Sequence, residues 1–486
     1  MKKFGWIYAF LVVPFLSWGQ ISPAENEWIE NGLEHSSVKS QSFENVEELF
    51  KTSKKVWDVF PDVVGSFRSN NFKTQLGAGV MFETGFKSKI AFQMRYAVGY
   101  TNAPNMLYSP DLQTKAYFTN KLSSKPFNDN YLYNDLRFRF TYRPIEQIEI
   151  QTGIDKQHFG EGDRSLMLGQ QSAPSPFVKL KGSIWRLQYH FLQQVWSEGM
   201  FTKNYLPKGV ATHYISYKAT KNLHIGIFES VVYGMKDTLY NRGISLEYMN
   251  PFIFFRPQEY NLGSTDNVIL GLDISYQFGR NMVYGSLILD EFLLKEIRAR
   301  SRWWANKYAA QIGVKSHFNK DNHLFFHRFE ANLVRPFTYT QIRPDVVYAN
   351  ENLPSVHPLG ANFIELYDEL NWKYNHFDFT VFLQYALKSN YEVDENNGTY
   401  TVSNVGGNIY LPYTDRKEEY NYKIGRGVTQ WRYMIGAHLA YGIMKDKWQV
   451  FIEPRLIIDK FEKSIHTNPY FSLGIHRAIG ANRRNY

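Results

Sequence analysis

The sequence predicts an all-β fold, a transmembrane antiparallel β-barrel of about sixteen to eighteen strands with a short, partly helical N-terminal segment. Three observations carry that prediction: an aromatic-rich but hydropathically modest composition, an export leader, and a two-residue period of apolar side chains along most of the chain. Of 486 residues, 17% are aromatic (37 Phe, 34 Tyr, 11 Trp), whereas only 44% are apolar and mean hydropathy is −0.41. A barrel in lipid needs aromatic girdles at both interfaces and a polar interior, which yields this mixture; a bundle of membrane helices would be far more hydrophobic.

The leader comes first in the chain. Lys2 and Lys3 form a positive head, Phe4 to Leu16 a short apolar run, and Ser17-Trp18-Gly19 a small-residue cleavage region. Residues 1–19 therefore read as a secretory signal peptide cut before Gln20. The alternative, a membrane anchor, needs a longer apolar span, and no later segment approaches the ~20 apolar residues of a spanning helix. Any membrane crossing in the exported chain falls to strands, because lipid admits only helices and closed barrels.

Residues 20–60 read as a periplasmic N-terminal segment, helical in part, since Val46, Leu49, Phe50, Val56 and Trp57 recur at helical spacing. Residues 61–486 read as the outer-membrane barrel. In Val268 to Phe278, Val268, Leu270, Leu272, Ile274, Tyr276 and Phe278 share one face, and Ile269, Gly271, Asp273, Ser275 and Gln277 lie on the other. Phe377 to Leu387, Trp431 to Tyr441 and Leu136 to Tyr142 repeat the pattern. Short turns at 374–376 and 279–281 contrast with long connections at 242–266, 336–362 and 389–429, the asymmetry between the two rims that such barrels show. A soluble β-sandwich or propeller shares the period of two, but the export leader and the absence of a blade-length repeat count against it.

Charge and motifs bound the function. There are no cysteines, so no disulfide framework, thiolate metal site or lipidated cysteine exists. The net charge of +9 is spread along the chain with no dense basic tract, which argues against a nucleic-acid partner and suits an anionic glycan or lipid head group. No nucleophile elbow, zinc-protease helix or phosphate-binding glycine loop is present; the sequence nominates no catalytic residue, cofactor or metal. His213, His224, His317, His323 and His327 are scattered among strands and read as lumen or interface residues.

Two stretches stand out as ligand candidates. In His158 to Gly169, Gly160 and Gly162 permit backbone turns closed to other residues, and Glu161, Asp163 and Arg164 offer hydrogen-bonding groups to a sugar; a tight loop that satisfies its own charges is the alternative. In Glu247 to Pro257, Tyr248 and Arg256 lie in an aromatic, proline-punctuated connection able to stack on pyranose faces or to form a packed loop or interface belt. A third stretch, Phe292 to Trp304, carries Lys295, Arg298, Arg300, Arg302, Trp303 and Trp304, as an amphipathic helix on a head-group surface or as a basic turn in a girdle.

The pattern Phe159-Gly160-Glu161-Gly162-Asp163-Arg164-Ser165-Leu166 before a proline-containing segment, the strand pair around His213 to Val232 and the Glu247-Tyr248-Met249-Asn250-Pro251 turn resemble the Wzi family of capsule-assembly outer-membrane proteins, and within it the RemB-like members tied to gliding. The resemblance implies an eighteen-stranded barrel in the outer membrane that binds surface polysaccharide, with outer-membrane lipid around it and gliding or secretion machinery as further partners. The chain departs from that pattern in confining its helical signal to residues 20–60 and in running past Ile479 to Tyr486. The competing functions are a passive porin-type channel and an outer-membrane hydrolase.

Overall fold

The computed structural model describes residues 38–39, 46–52, 55–68, 71–87, 89–101, 123–127, 130–198, 205–236, 243–250, 266–351, 353–396, 399–444 and 448–477. The expected signal peptide and Arg256 lie outside them. Eighteen strands close into one antiparallel barrel. They are β1 (Lys55–Arg68), β2 (Asn71–Phe86), β3 (Ile90–Thr101), β4 (Asn130–Ile145), β5 (Ile148–Asp155), β6 (Ser175–Ile184), β7 (Leu187–Glu198), β8 (Leu206–Lys218) and β9 (Leu223–Gly234). The second half comprises β10 (Asn267–Phe278), β11 (Asn281–Glu291), β12 (Lys307–Lys320), β13 (His323–Val334), β14 (Phe363–Tyr374), β15 (Phe377–Ser389), β16 (Thr429–Ile443), β17 (Trp448–Lys460) and β18 (Ile465–Arg477). Each strand pairs with its neighbour in sequence, and the seal is β1 on β18, from Val63 opposite Ile475 to Arg68 opposite Tyr470. Among the described residues each of the eighteen strands pairs on both sides, which is what permits a sheet to sit in lipid.

The period of two sorts the wall. In β10, Leu272, Ile274 and Tyr276 are exposed on the outside while Asp273 and Ser275 are buried inside; Leu383 and Gln384 of β15, Ile435 and Met434 of β16, and Phe140 and Arg139 of β4 divide the same way. The outer surface is an apolar belt, and the chain is an integral outer-membrane barrel. No helix among the described residues is long and apolar enough to cross a membrane. One rim has only short turns, such as Gly279-Arg280 and Asn375-His376, and also receives the start of β1 and the end of β18; the other carries the excursions 156–174, 235–266, 292–306, 335–362 and 390–428. Short turns mark the periplasmic rim and long loops the extracellular one.

Two expectations change. Helix α1 (Val46–Thr52) is present, with Leu49 and Phe50 packed on Ala91 at the periplasmic rim, but Val56 and Trp57 belong to β1, which starts inside the 20–60 segment read as periplasmic. Trp57 is 68% exposed on the outer wall: the apolar spacing that continued the helical pattern comes from alternate residues of a strand. The second change is that the proline-containing segment after the glycine turns opens a strand, β6, whose Pro176, Lys179 and Lys181 interrupt its apolar run. Its lysines face the lumen, so they break the apolar signal without breaking the alternation.

A recurrent packing device uses the glycines of the inner wall. The ring of Tyr133 lies across Gly77 and Gly99, where an added Cβ would stand 2.1 and 2.4 Å from its hydroxyl, and that hydroxyl donates to Asp62 at 2.8 Å. Phe60 over Gly79, Tyr214 over Gly226, Tyr284 over Gly313 and Phe382 over Gly436 repeat the arrangement. Large rings thus fill the lumen without pushing the wall outward. Replacing Gly99 with Val is expected to expel Tyr133 from Asp62 and cost about 1–3 kcal/mol, seen as a lower urea midpoint of the heat-modifiable folded band. Gly182→Val, at a site with nothing within 4 Å, is the control and leaves the midpoint in place.

Candidate functional site

The excursion between β5 and β6 does not leave the barrel. Residues 156–174 dip from the extracellular rim into the lumen, where Phe159, Leu166, Met167 and Leu168 are buried with Tyr214, Phe228 and Ile269 of the inner wall and with Tyr339, Tyr348 and Val356 of the 335–362 excursion. Gly160 has φ +102, a conformation that favours glycine, and His158 Nε2 meets its carbonyl at 2.9 Å. Gly162 leaves room for the Gln311 amide, 2.1 Å from where a Cβ would sit. Val38–Lys39 adds a two-residue antiparallel ladder to His158–Phe159.

Charge locks this plug to β12, β13 and β14. Lys315 Nζ donates to the Glu161 carbonyl at 2.5 Å and pairs with its carboxylate at 3.2 Å. Arg328 bridges Asp163 at 3.0 Å and Glu369 at 2.6 Å. Arg164 pairs with Glu365 and stacks 4.3 Å over the Tyr367 ring. Glu365 also receives Asn332 at 3.0 Å and His357 Nε2 at 2.6 Å, and Glu330 accepts from the Asp163 amide and the Tyr284 hydroxyl, each at 2.7 Å. Both guanidinium groups and their carboxylates are almost wholly buried, so each charge depends on its partner.

Gly160, Glu161, Asp163 and Arg164 are therefore brought together, but facing the wall. The tight-loop reading describes them, with the difference that the partners come from strands some 150 to 200 residues away. Tyr248 is elsewhere. It packs with Phe191, Ala211, Val231 and Val268 on the outer face of β7 to β10, and its hydroxyl donates to Asp266 at 2.9 Å. The barrel wall separates it from the plug. Under this cover even the outward-facing Gln193, His213 and Glu229 are buried.

Sequence reasoning missed a second cluster, at the extracellular mouth. The 292–306 excursion holds only a short helix, α2 (Leu294–Arg298), with no buried residue; beyond it Arg300 and Arg302 take positive φ and turn Trp303 and Trp304 inward. Trp304 packs on Tyr413 (centroids 4.8 Å) and Phe337 (5.8 Å), donates from its indole to Glu419 at 2.7 Å, and carries the Arg416 guanidinium 4.0 Å above its ring. Arg416 also bonds Glu419 and holds its carboxyl below the usual carboxylate range. Phe337 meets Tyr422 at 4.9 Å, and Arg426 spans Glu392 and Glu418 at 2.9 and 3.1 Å. Tyr420 stands 46% exposed beside them. The only signal in sequence was the Trp-Trp pair; its partners lie from about thirty to more than a hundred residues downstream, in other excursions.

Between the 335–362 and 390–428 excursions and the extracellular ends of β15 and β16, a cavity of about 50 Å³ is lined by Leu359, Lys388, Asn390, Ile409 and Arg432 among others. A space of this size has room for a water or two. Lys388 Nζ already donates to three carbonyls, of Leu359, Ala361 and Gly407. Among the described residues no group of three or more His, Asp or Glu side chains has the arrangement of a metal site.

No protein-family model matches the chain, and no curated protein matches it by sequence. Solved structures do. It is similar to Wzi of Escherichia coli, described as an outer-membrane protein involved in group 1 capsule assembly and a carbohydrate-binding β-barrel, at 12% identity and TM-score 0.55 over 92% of this chain and 97% of that one. OprD of Pseudomonas aeruginosa matches at 11% identity and TM-score 0.45 over 90% and 97%, and OccAB4 of Acinetobacter baumannii at 9% and 0.43 over 88% and 98%. What the Wzi likeness carries is the fold, a large outer-membrane barrel.

Two outcomes test the lock. Arg328→Met leaves Asp163 and Glu369 buried without their cation and is expected to cost about 3–5 kcal/mol, read as a fall in the urea midpoint. The second concerns His357, which burial pushes below the usual imidazole range, outweighing the adjacent Glu365. Its Nδ1 accepts the Leu359 amide at 3.1 Å, so the hydrogen sits on Nε2 and points at Glu365. Because the folded value lies below the unfolded one of about 6.5, the unfolded chain binds more protons. This contribution to stability is full above about pH 6.5 and falls as pH drops through the lowered value. His357→Gln, which keeps an amide donor, is expected to flatten the midpoint-versus-pH curve in that window.

Proposed function

We propose that the chain is a non-enzymatic outer-membrane barrel that binds or organises surface polysaccharide at its extracellular mouth, in the manner of RemB-like members of the Wzi family, and so supports gliding. The reading takes residues 1–19 as a signal peptide removed on export and counts gliding or secretion machinery among the partners. The observation that carries it is the cap: Tyr413, Arg416, Trp303 and Tyr420 gather rings and a guanidinium at the mouth, above a lumen whose β5 to β14 side is filled by a salt-bridged plug. Rings present flat apolar faces to pyranose C–H groups, and guanidinium groups pair with carboxylates or phosphates in two-point contact. In this reading Glu161, Asp163 and Arg164 hold the plug beneath the cap, and sugar contacts fall on the cap.

A passive channel is the second reading. It draws on the charged inner strip of β2 to β5, where Glu83, Arg95, Asp135, Arg137, Arg139 and Asp155 face the lumen. Retention of the purified barrel on glycan extracted from its own cells, beside single-channel recording, decides between the two. Retention that falls roughly fivefold in Tyr413→Ala and Arg416→Ala, with no steady conductance, is the expected result. Steady nanosiemens-scale openings without retention support the channel instead.

A further inference from the structure

We propose that the outer wall holds a lipid-binding groove at Asp368, taking an outer-leaflet lipid whose hydroxylated acyl chain donates a hydrogen bond to that carboxylate. His327 of β13 and Asp368 of β14 meet at 2.6 Å, Nε2 to Oδ1. Both belong to the outward rows of their strands, His327 with Phe325 and Phe329, Asp368 with Leu366 and Leu370, while Arg328, Glu330, Glu365 and Glu369 face the lumen. Each side chain is 32% exposed. An ionisable pair on the lipid side of a barrel is costly and marks a functional contact. This chain covers its other outward polar patch, Gln193, His213 and Glu229, with its own Tyr248 segment, whereas Asp368 Oδ2 accepts no hydrogen bond among the described residues.

Beside the pair runs a groove of about 310 Å³, lined by Leu366, Leu383, Tyr385, Tyr433, Ile435 and Asp368 among others. Tyr385 and Tyr433 each lie four residues below the extracellular ends of β15 and β16, at Ser389 and Thr429, and their rings pack 5.2 Å apart at girdle height. Asp368 lies five residues below Phe363, the extracellular end of β14. At ~3.3 Å per residue and a tilt near 40°, that is a descent of roughly 13 Å, inside the ~15 Å of one leaflet. The groove thus begins where head groups sit and descends among aliphatic side chains to a hydrogen-bond acceptor. A single acyl chain fits a narrow concavity of this kind; a second barrel needs a broad complementary face of ~800 Å² on each partner. The donor has to be a hydroxyl on the chain, because an ordinary acyl chain has none at that depth.

The test uses the full chain, purified folded in mixed micelles containing a glycerolipid with a hydroxylated acyl chain or its counterpart lacking the hydroxyl. Bound lipid is counted by native mass spectrometry. The wild type is expected to retain the hydroxylated lipid, one per barrel, roughly tenfold over its counterpart. Asp368→Leu loses that preference while keeping heat-modifiable mobility, and Ile435→Trp, which fills the groove, retains neither. Equal retention of the two lipids by the wild type, an unchanged preference in Asp368→Leu, or a mass of two barrels joined without lipid overturns the proposal.

Discussion

Arg328 stands between the plug and the wall, and the arrangement of the lumen depends on that one shared cation. It takes Asp163 from the 156–174 excursion and Glu369 from β14, while its neighbours Glu330 and Glu365 collect the Asp163 amide, Tyr284, Arg164, Asn332 and His357. A charge buried in a barrel interior carries a desolvation penalty that only a well-placed opposite charge offsets. Each strand therefore fixes the loop, and the loop fixes the spacing of the strands. Hydrophobic contacts of Phe159 and Met167 fill space around this network, but they do not set its register, because apolar packing is non-directional.

The wall was legible in the sequence because its physics is local. A residue facing lipid must be apolar and its neighbour facing the lumen need not be, so Val268 to Phe278 and Phe377 to Leu387 announce both their conformation and their faces. β6 was not legible for the same reason inverted. Pro176 reads as a breaker, and Lys179 and Lys181 as solvated loop, until the lumen is known to supply Gln157 and the face of Phe159 to Lys179. The plug was legible as a turn-rich, charged loop, but its location was not. The glycines Gly160 and Gly162 show that the backbone bends; nothing within ten residues shows that Glu161 meets Lys315 or that Arg164 meets Glu365. The mouth cluster was least legible, since Trp304, Phe337 and Tyr413 come from three separate excursions.

Both outward polar patches follow from one limit on the rule of alternation. Period two assigns a side, and it says nothing about what lies on that side. His213 and His327 occupy equivalent outward rows, yet His213 packs edge-on against Tyr189 and Phe191 beneath a segment of the same chain, while His327 pairs with Asp368 on the part-exposed outer wall. A histidine in a strand therefore has at least three fates in a barrel: lumen, covered wall and lipid-facing wall. The composition of its own strand cannot separate the last two, because the covering segment lies elsewhere in sequence.

The lumen and the mouth are best understood as one column. Arg335 at the end of β13 donates to the Tyr422 carbonyl at 2.8 Å, Phe337 joins Trp304 and Tyr422, and Tyr339, two residues on, donates its hydroxyl to the Leu166 carbonyl of the plug at 2.7 Å. Three successive alternate residues of a single excursion thus tie the cap, the cluster beneath it and the plug. Positive φ at Phe337 and Tyr339 aims these rings, a strained conformation for aromatic residues that persists only where the surroundings over-determine it. The mouth is thus tied through short, buried, directional contacts to the plug and, through the plug's ion pairs, to β12 to β14.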